Sequence, residues 1–427
     1  MNFIFIKLHF EIVYKKLHIP SNVSEENGNN IMSSAVQIQT YRTLDADGVR
    51  DFIAAHPALA QRLGGPSTEW SVREVSDGNL NMVWLLHGSH GSLCVKQSLP
   101  HVRVDPAWKM PLDRTFFEAE WLRAATPFVS GGIPDFLHFD QDMYVLVTEC
   151  LDGCVIFSRL LSDGQGDPIR VAREIGRLTA RLAVGTSYLS SPFEKVWEQE
   201  RVFLKNKSLT RITVDLIFTD PYVDHPRNHF HPALAPLVER LRTDRKIHRA
   251  VCALQQIFLT SKECLLHGDL HAGSIMVGND KIAVIDGEFA LSGPVGFDCG
   301  LFIGSLVMAA FSAESVYREQ IFQSIDIFKE SFRSEFLGCW SRRPDNGDLA
   351  PRSLSGRDQE DAFISSYLEK IFREARGFSA LEIIRRLTGY AHTPYFAHLP
   401  EAVSGERQAE ALSFALSLLT EDQVSGG

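Results

Sequence analysis

The sequence lacks the features of several large protein classes. Its 427 residues contain no basic run that stands out, and the formal net charge at pH 7 is -10. This acidic balance argues against nucleic acid or an anionic membrane as the main partner. The seven cysteines form no Cys-x-x-Cys pair and no zinc-finger spacing, so we interpret them as buried thiols in a reducing, cytoplasmic compartment. A soluble acidic enzyme fits these properties best.

Long uncharged apolar runs are also missing. The segment 1–31 starts with apolar residues, but charges interrupt it from Lys7 onwards, and it is too short and too charged for a membrane span. It has no basic start and no small-residue cleavage site, so we expect a disordered or artefactual extension. Residues 299–311 are almost wholly apolar, but a run of about a dozen residues suits a buried helix better than a membrane span.

Two aspartates, Asp269 and Asp286, each end a short apolar run within residues 265–289. The polar turn at 278–280 predicts that two strands are joined there. Phosphoryl transfer needs one carboxylate to orient or deprotonate the attacking hydroxyl and another to hold the metal on the nucleotide phosphates. Either motif alone is also a common turn or cap. Both motifs in this order favour an ATP-dependent kinase of small molecules.

A lysine inside an apolar strand supports the same interpretation. Three strands are predicted between residues 70 and 97, and the third contains Lys96. Kinases place the lysine that holds the α- and β-phosphates of ATP in such a strand. The turn between the first two strands contains Gly78 and Asn79, and a glycine there lets backbone N–H groups approach phosphates closely.

The next segment is a predicted helix over residues 113–125 that ends before Pro127. It carries two glutamates, Glu118 and Glu120. One of them is expected to pair with Lys96, as a helix glutamate does in kinases, and the sequence does not say which.

Residues 267–274 read His-Gly-Asp-Leu-His-Ala-Gly-Ser, and Ile-Asp-Gly-Glu-Phe-Ala and Gly-Pro-Val-Gly-Phe-Asp follow them. This succession resembles the 5-methylthioribose kinase family of protein-kinase-like enzymes, which is related to the aminoglycoside phosphotransferases. Residues 96–103 and 383–392 are similar to that family as well, and the likeness runs from about residue 41 to residue 392. The family usually has proline where this chain has Gly287, and glycine leaves that backbone freer.

The resemblance implies a bilobal α+β fold of the protein-kinase-like type, with a small β-rich N-lobe and a larger helical C-lobe. The N-lobe is expected at residues 41–149, the hinge at 150–153, and the C-lobe with the catalytic loop and substrate site at 154–427. Adenine would lie at the hinge, where the backbone at Glu149 and Leu151 would bind it.

The implied reaction is transfer of the γ-phosphate of ATP to the 1-hydroxyl of 5-methylthioribose, a step of methionine salvage. Asp269 would orient that hydroxyl and accept its proton. Asp286 would bind Mg²⁺, with Glu288 and Ser274 as helpers.

The same resemblance gives a role to Arg385 and Arg386, although adjacent arginines on a helix are most often solvated. They would bind substrate hydroxyls, since each guanidinium offers five fixed donors. They also argue against an aminoglycoside- or choline-type phosphotransferase, which needs an acidic pocket for its cationic acceptor. A second alternative, a nucleotide-binding pseudokinase scaffold, predicts the loss of a phosphate or metal ligand, yet the lysine and both aspartates are present. A homodimer is left open.

Overall fold

In this computed structural model, the described residues are 41–75, 80–103, 105–344, 347–350 and 357–421. The predictions for residues 1–31, Gly78 and Asn79 lie outside the described residues. Within the described ranges a β-rich region precedes a mostly helical region, which confirms the predicted α+β class.

The β-rich region contains short helices and mostly antiparallel strands. Its helices are α1 (Ala46–Ala54), α2 (Pro57–Leu63) and α3 (Arg114–Val129). Its strands are β1 (Ser71–Glu74), β2 (Asn81–His87), β3 (Ser92–Ser98), β4 (His101–Val102), β5 (Asp105–Lys109), β6 (Phe136–Asp140) and β7 (Val145–Glu149).

The helical region follows Glu149 and includes five short strands among its described residues. The strands are β8 (Val155–Ile156), β9 (Cys264–Leu266), β10 (Ile275–Val277), β11 (Ile282–Val284) and β12 (Leu291–Gly293). The helices are α4 (Phe157–Ser162), α5 (Pro168–Gly185), α6 (Phe193–Phe203), α7 (Lys207–Phe218), α8 (Ala235–Thr243), α9 (Arg245–Thr260), α10 (Val295–Ser312), α11 (Ser315–Arg342), α12 (Arg357–Thr388) and α13 (Glu401–Thr420).

A five-stranded antiparallel sheet, in the order β1-β2-β3-β7-β6, dominates the β-rich region. Successive residues of a strand point to opposite faces, so Val95 and Lys96 of β3 face different sides. Val95 packs with Trp84 and Val147 in a core that also contains apolar residues of α1 and α2. Lys96 lies on the other face, where it contacts Glu118 of α3. The alternation thus directs one lysine of a buried strand away from the apolar core.

Helix α10 forms the centre of the helical region. Among the described helices it alone is long and apolar enough to cross a membrane, and 94% of it is buried inside the fold, which confirms the predicted buried helix. Gly296, Gly300 and Gly304 lie on its face toward α12, where an added Cβ would come within 2.8 Å of α12 backbone oxygens. Small residues at this spacing let the two helices pack closely and so fix the position of α12.

Two predicted helix ends are wrong. α3 continues through Pro127 to Val129. Proline lacks the backbone N–H, but only two helical residues follow it here, so the missing hydrogen bond lies in the last turn of the helix. The helix predicted at 381–392 is the end of the much longer α12, and it stops at Thr388. Turn residues follow, beginning with Gly389.

The prediction that the cysteines are buried holds for only part of the set. Cys252 is exposed, because it lies on α9 opposite the buried stripe that contains Val251 and Leu254. Three cysteines are buried and three are partly buried: Cys150, Cys264 and Cys299, and Cys94, Cys154 and Cys339, respectively.

Candidate active site

The loop between β9 and β10 carries Asp269, and buried groups fix its backbone. The carboxylate of Asp298 on α10 accepts hydrogen bonds from the backbone N–H groups of His267 at 2.7 Å and Gly268 at 3.0 Å. Burial raises the pKa of Asp298 to about 7, although these two hydrogen bonds oppose the rise. Gly268 has a φ of +84°, and a Cβ there would lie 2.1 Å from the carbonyl oxygen of Phe289. This steric limit explains the glycine in the His-Gly-Asp motif.

The ring of His267 links the loop of Asp269 to the loop of Asp286. Its Nδ1 accepts a hydrogen bond from the backbone N–H of Asp269 at 3.3 Å, and its Nε2 lies 2.8 Å from the carbonyl oxygen of Ile285. These two partners together require a proton on Nε2 and none on Nδ1. Burial lowers the pKa of His267, which favours this neutral ring.

Two guanidinium groups and an imidazole surround the carboxylate of Asp269, whose side chain is 23% exposed. Nη2 of Arg385 donates to Oδ1 at 2.5 Å, Nη2 of Arg386 lies 3.8 Å from the same oxygen, and Nε2 of His271 lies 3.3 Å from Oδ2. Burial would raise the pKa of Asp269, but Arg385, His271 and Arg386 outweigh it and hold the pKa well below its usual range. The carboxylate is therefore ionised at neutral pH.

The two arginines are oriented by a buried glutamate one turn earlier on α12. Glu382 is fully buried, and its two oxygens accept hydrogen bonds from Nε of Arg385 and from Nε of Arg386, the latter at 2.9 Å. Burial would raise the pKa of Glu382, but the arginines lower it below its usual value. Glu382 therefore fixes the positions of both predicted arginines, and only 9% of the Arg385 side chain and 13% of the Arg386 side chain are exposed.

The second charged group joins β3, α3 and the loop after β11. Nζ of Lys96 lies 2.6 Å from Glu118 Oε2 and 2.7 Å from Asp286 Oδ1. Burial would lower the pKa of Lys96, but Asp286 and Glu118 reverse the effect and raise it. The structure thus brings Glu118 to the lysine, whereas Glu120 contacts Arg123. This geometry distinguishes the two glutamates that the sequence leaves equivalent.

Asp286 occupies a left-handed turn with φ of +66°, and 52% of its side chain is exposed. Desolvation would raise the pKa of Asp286, but the positive charge of Lys96 outweighs this effect and lowers the pKa.

The next residue, Gly287, packs under the indole of Trp121 on α3, where a Cβ would come 2.5 Å from a ring carbon. The glycine that departs from the family pattern therefore makes room for a tryptophan, which is itself fully buried.

The two predicted helpers of Asp286 make other contacts. Glu288 Oε2 accepts a hydrogen bond from Asn81 Nδ2 at 2.7 Å and lies 3.7 Å from Nε of the buried Arg114. The hydroxyl of Ser274 lies 3.1 Å from the carbonyl oxygen of Asp269 and accepts from the backbone N–H of His271 at 3.0 Å, and it thereby closes the loop. The metal roles of Glu288 and Ser274 stay predictions.

At the predicted hinge, the side chain of Glu149 turns away to Lys281, with Nζ 2.8 and 2.9 Å from its two oxygens. Its Oε2 also accepts from the backbone N–H of Asp135 at 3.2 Å. Leu151 follows outside any strand or helix. Any role of these two residues in binding adenine would thus be a backbone role, as the sequence predicts.

Four residues of the site have no role in the predictions from sequence: Glu382, His271, Asp298 and Asn81. Glu382 and His271 flank predicted residues, but the contact that brings α12 to the loop of Asp269 joins residues 116 apart in the chain. Asp298 is the last residue of the quoted Gly-Pro-Val-Gly-Phe-Asp motif, and its place in that motif is the sequence signal that could have identified it. Asn81 is the last residue of the first predicted turn, and it reaches Glu288 across more than 200 residues of chain.

The arrangement provides two ionised carboxylates, each beside fixed cations, on two loops that His267 connects. His271 lowers the pKa of both Asp269 and Asp286, although for each aspartate burial and a stronger cationic neighbour have larger effects. One carboxylate lies among guanidinium donors and the other beside a buried ammonium. This distribution suits a reaction in which anionic phosphate and a hydroxyl meet between the loops.

A family model and named relatives identify the family of this chain. The model of the phosphotransferase enzyme family matches residues 71–324. Methylthioribose kinase 1 of Oryza sativa subsp. japonica is 31% identical over 388 residues, which cover 87% of this chain and 90% of the relative. Methylthioribose kinase of Pectobacterium atrosepticum is 35% identical over 364 residues, with 82% and 87% covered. A crystal structure of choline kinase from Cryptosporidium parvum Iowa II has 12% identity and a TM-score of 0.46, with 89% and 98% covered. The chain belongs to the phosphotransferase enzyme family and, within it, to the methylthioribose kinase family.

Proposed function

We propose that this protein is an ATP-dependent methylthioribose kinase that forms 5-methylthioribose 1-phosphate in cytoplasmic methionine salvage. Relatives with that name are 31% to 35% identical over most of the chain. The structural observation that carries the proposal is the arginine pair, Arg385 and Arg386, which Glu382 directs toward Asp269. Paired guanidinium groups beside a catalytic carboxylate suit a neutral polyhydroxylated acceptor.

In the proposed reaction, the oxygen of the sugar 1-hydroxyl attacks the γ-phosphorus of ATP. The bond between that phosphorus and the bridging oxygen to the β-phosphate breaks, ADP leaves, and the hydroxyl proton passes to Asp269. The low pKa of Asp269 keeps it ionised, so its main contribution is to orient the hydroxyl until the new bond forms. Lys96, which Glu118 and Asp286 hold, would bind the α- and β-phosphates.

Mg²⁺ is part of the proposal, with Asp286 as its main ligand. This carboxylate is half exposed and lies on a fixed turn, which suits a hard cation that takes few protein oxygens and several from phosphates and water. Glu288 would contribute the oxygen that does not contact Asn81, and Ser274 is a third proposed ligand. When bound, Mg²⁺ would neutralise charge on the β- and γ-phosphates.

Replacing Arg386 with lysine is expected to raise the acceptor KM by about 10-fold while the KM for ATP stays nearly constant. Lysine keeps the charge but loses the planar set of donors. The Arg385→Lys change should raise the acceptor KM as well and also lower kcat, because Arg385 bonds directly to Asp269. Initial rates measured against each substrate in turn separate these effects.

The matched control is Arg373→Lys, which changes an exposed arginine on the same helix. It should leave both KM values unchanged. If Arg385→Lys and Arg386→Lys alter only the KM for ATP, the pair serves the nucleotide or the fold, and the methylthioribose assignment loses its structural support.

An aminoglycoside- or choline-type acceptor fits the site less well. A cationic acceptor would approach a carboxylate beside which two guanidinium groups already lie, at 2.5 and 3.8 Å. Repulsion between these fixed positive charges and a cationic acceptor would disfavour its binding.

A further inference from the structure

Three metal-ligating side chains meet at the edge of the five-stranded sheet, away from the proposed active site. His56 lies between α1 and α2, and His138 and Asp140 lie on β6, the edge strand two strands from Lys96. One potential ligand atom from each of the three lies within 4.8 Å of the other two. His138 and Asp140 are two residues apart on one strand, so their side chains point to the same side.

Hydrogen bonds already orient two of these three groups. Nδ1 of His56 lies 2.7 Å from the carbonyl oxygen of Phe52, a contact in which Nδ1 carries the proton and Nε2 keeps a free lone pair. Oδ1 of Asp140 accepts from the backbone N–H groups of Asp142 at 3.0 Å and Met143 at 2.8 Å, which leaves Oδ2 available. Metal-binding histidines and carboxylates have supporting hydrogen bonds of this kind.

The third group supplies an independent observation. Nε2 of His138 is buried, and among the described residues it has no hydrogen-bond partner. A buried polar atom without a partner costs free energy. The rings of His56 and His138 contact each other with centroids 4.5 Å apart, but that contact does not satisfy the nitrogen. A cation bound by this nitrogen would satisfy it.

We propose that His56, His138 and Asp140 form a binding site for a divalent transition-metal ion of the zinc type. Two imidazoles and one carboxylate are a common donor set for Zn²⁺, and three protein ligands leave a fourth position for water. The ion would tie the α1–α2 junction to β6 and so stabilise the β-rich region. The site does not depend on the proposed kinase activity, because its residues do not contact Lys96, Asp269 or Asp286 in the described structure.

The test is titration of the metal-free full chain with Zn²⁺ by calorimetry and with Co²⁺ by visible absorption. The unmodified protein should bind one more equivalent than His138→Gln or His56→Gln, and its Co²⁺ complex should show the absorption of a four-coordinate ion. Each substitution should weaken binding of that equivalent by more than about 100-fold, since loss of a mere supporting residue costs about 10- to 100-fold. Zn²⁺ should also raise the Tm of the unmodified protein and not that of the variants.

The matched control is His87→Gln, which removes a potential ligand from another such cluster among the described residues, formed by His87, Cys150 and Asp152. The His87→Gln protein should still bind the additional equivalent of metal ion. The proposal is overturned if the unmodified protein binds no such ion, if both His56→Gln and His138→Gln retain it, or if His87→Gln alone abolishes binding. A cooperative unfolding transition without added metal shows that each variant is folded, and two separate variants guard against the failure of one.

Discussion

Replacing Asp269 with asparagine is expected to lower kcat by a factor on the order of 100 or more while ATP still binds, the scale for losing a positioned acid–base group. Asparagine has nearly the same shape but cannot accept the hydroxyl proton. It also places a neutral amide beside Arg385 and Arg386, whose charges help to hold the carboxylate ionised. The measurement is the steady-state rate together with calorimetric ATP affinity.

The control for this change is Asp280→Asn, in the exposed turn between β10 and β11. It should leave kcat unchanged. Near-normal turnover of the Asp269→Asn protein would show that Asp269 does not have its proposed role. Loss of ATP binding would indicate instead that Asp269 acts in nucleotide binding.

Replacing Asp286 with alanine is expected to abolish phosphoryl transfer at every Mg²⁺ concentration. The change removes the proposed metal ligand and also a carboxylate 2.7 Å from Lys96. Rates measured across a Mg²⁺ series, with EDTA as the zero point, test this. Activity of the unmodified enzyme that survives EDTA would show that the metal assignment is wrong.

Glu288 needs a milder substitution, because its Oε2 contacts Asn81 and the buried Arg114. Glu288→Gln keeps an oxygen for Asn81 but weakens metal binding, so it should raise the Mg²⁺ requirement and leave the maximal rate measurable. This graded effect separates Glu288 from Asp286 in the same titration.

The parts of the site that the sequence predicts are those with local signals. Lys96 stands in an apolar strand, and Asp269 and Asp286 each end an apolar run, so strand alternation and motif spacing suffice to find them. The hairpin of β10 and β11 and the buried helix α10 follow from the same patterns. The α+β class is what the family resemblance implies, and the order of predicted strands before predicted helices agrees with it.

The remaining features depend on packing between distant segments. Glu118 and Glu120 look alike in sequence, and only the position of α3 against β3 brings Glu118 to the lysine. The contact of Arg385 with Asp269 joins residues 116 apart in the chain and requires α12 to lie beside the loop of Asp269, and the glycines of α10 let α12 pack closely. The space that Gly287 leaves for Trp121 is likewise a contact between residues far apart in the chain.

The most direct measurement is the kcat/KM of ATP-dependent phosphorylation for methylthioribose, ribose, choline and kanamycin, with phosphorus NMR of the product. Methylthioribose should have the highest value and give a phosphate on the 1-oxygen. Ethylthioribose should also react, since an apolar pocket discriminates one methylene by only about 1–3 kcal/mol. A higher kcat/KM for choline or kanamycin, or phosphate on another hydroxyl of the sugar, would contradict the account.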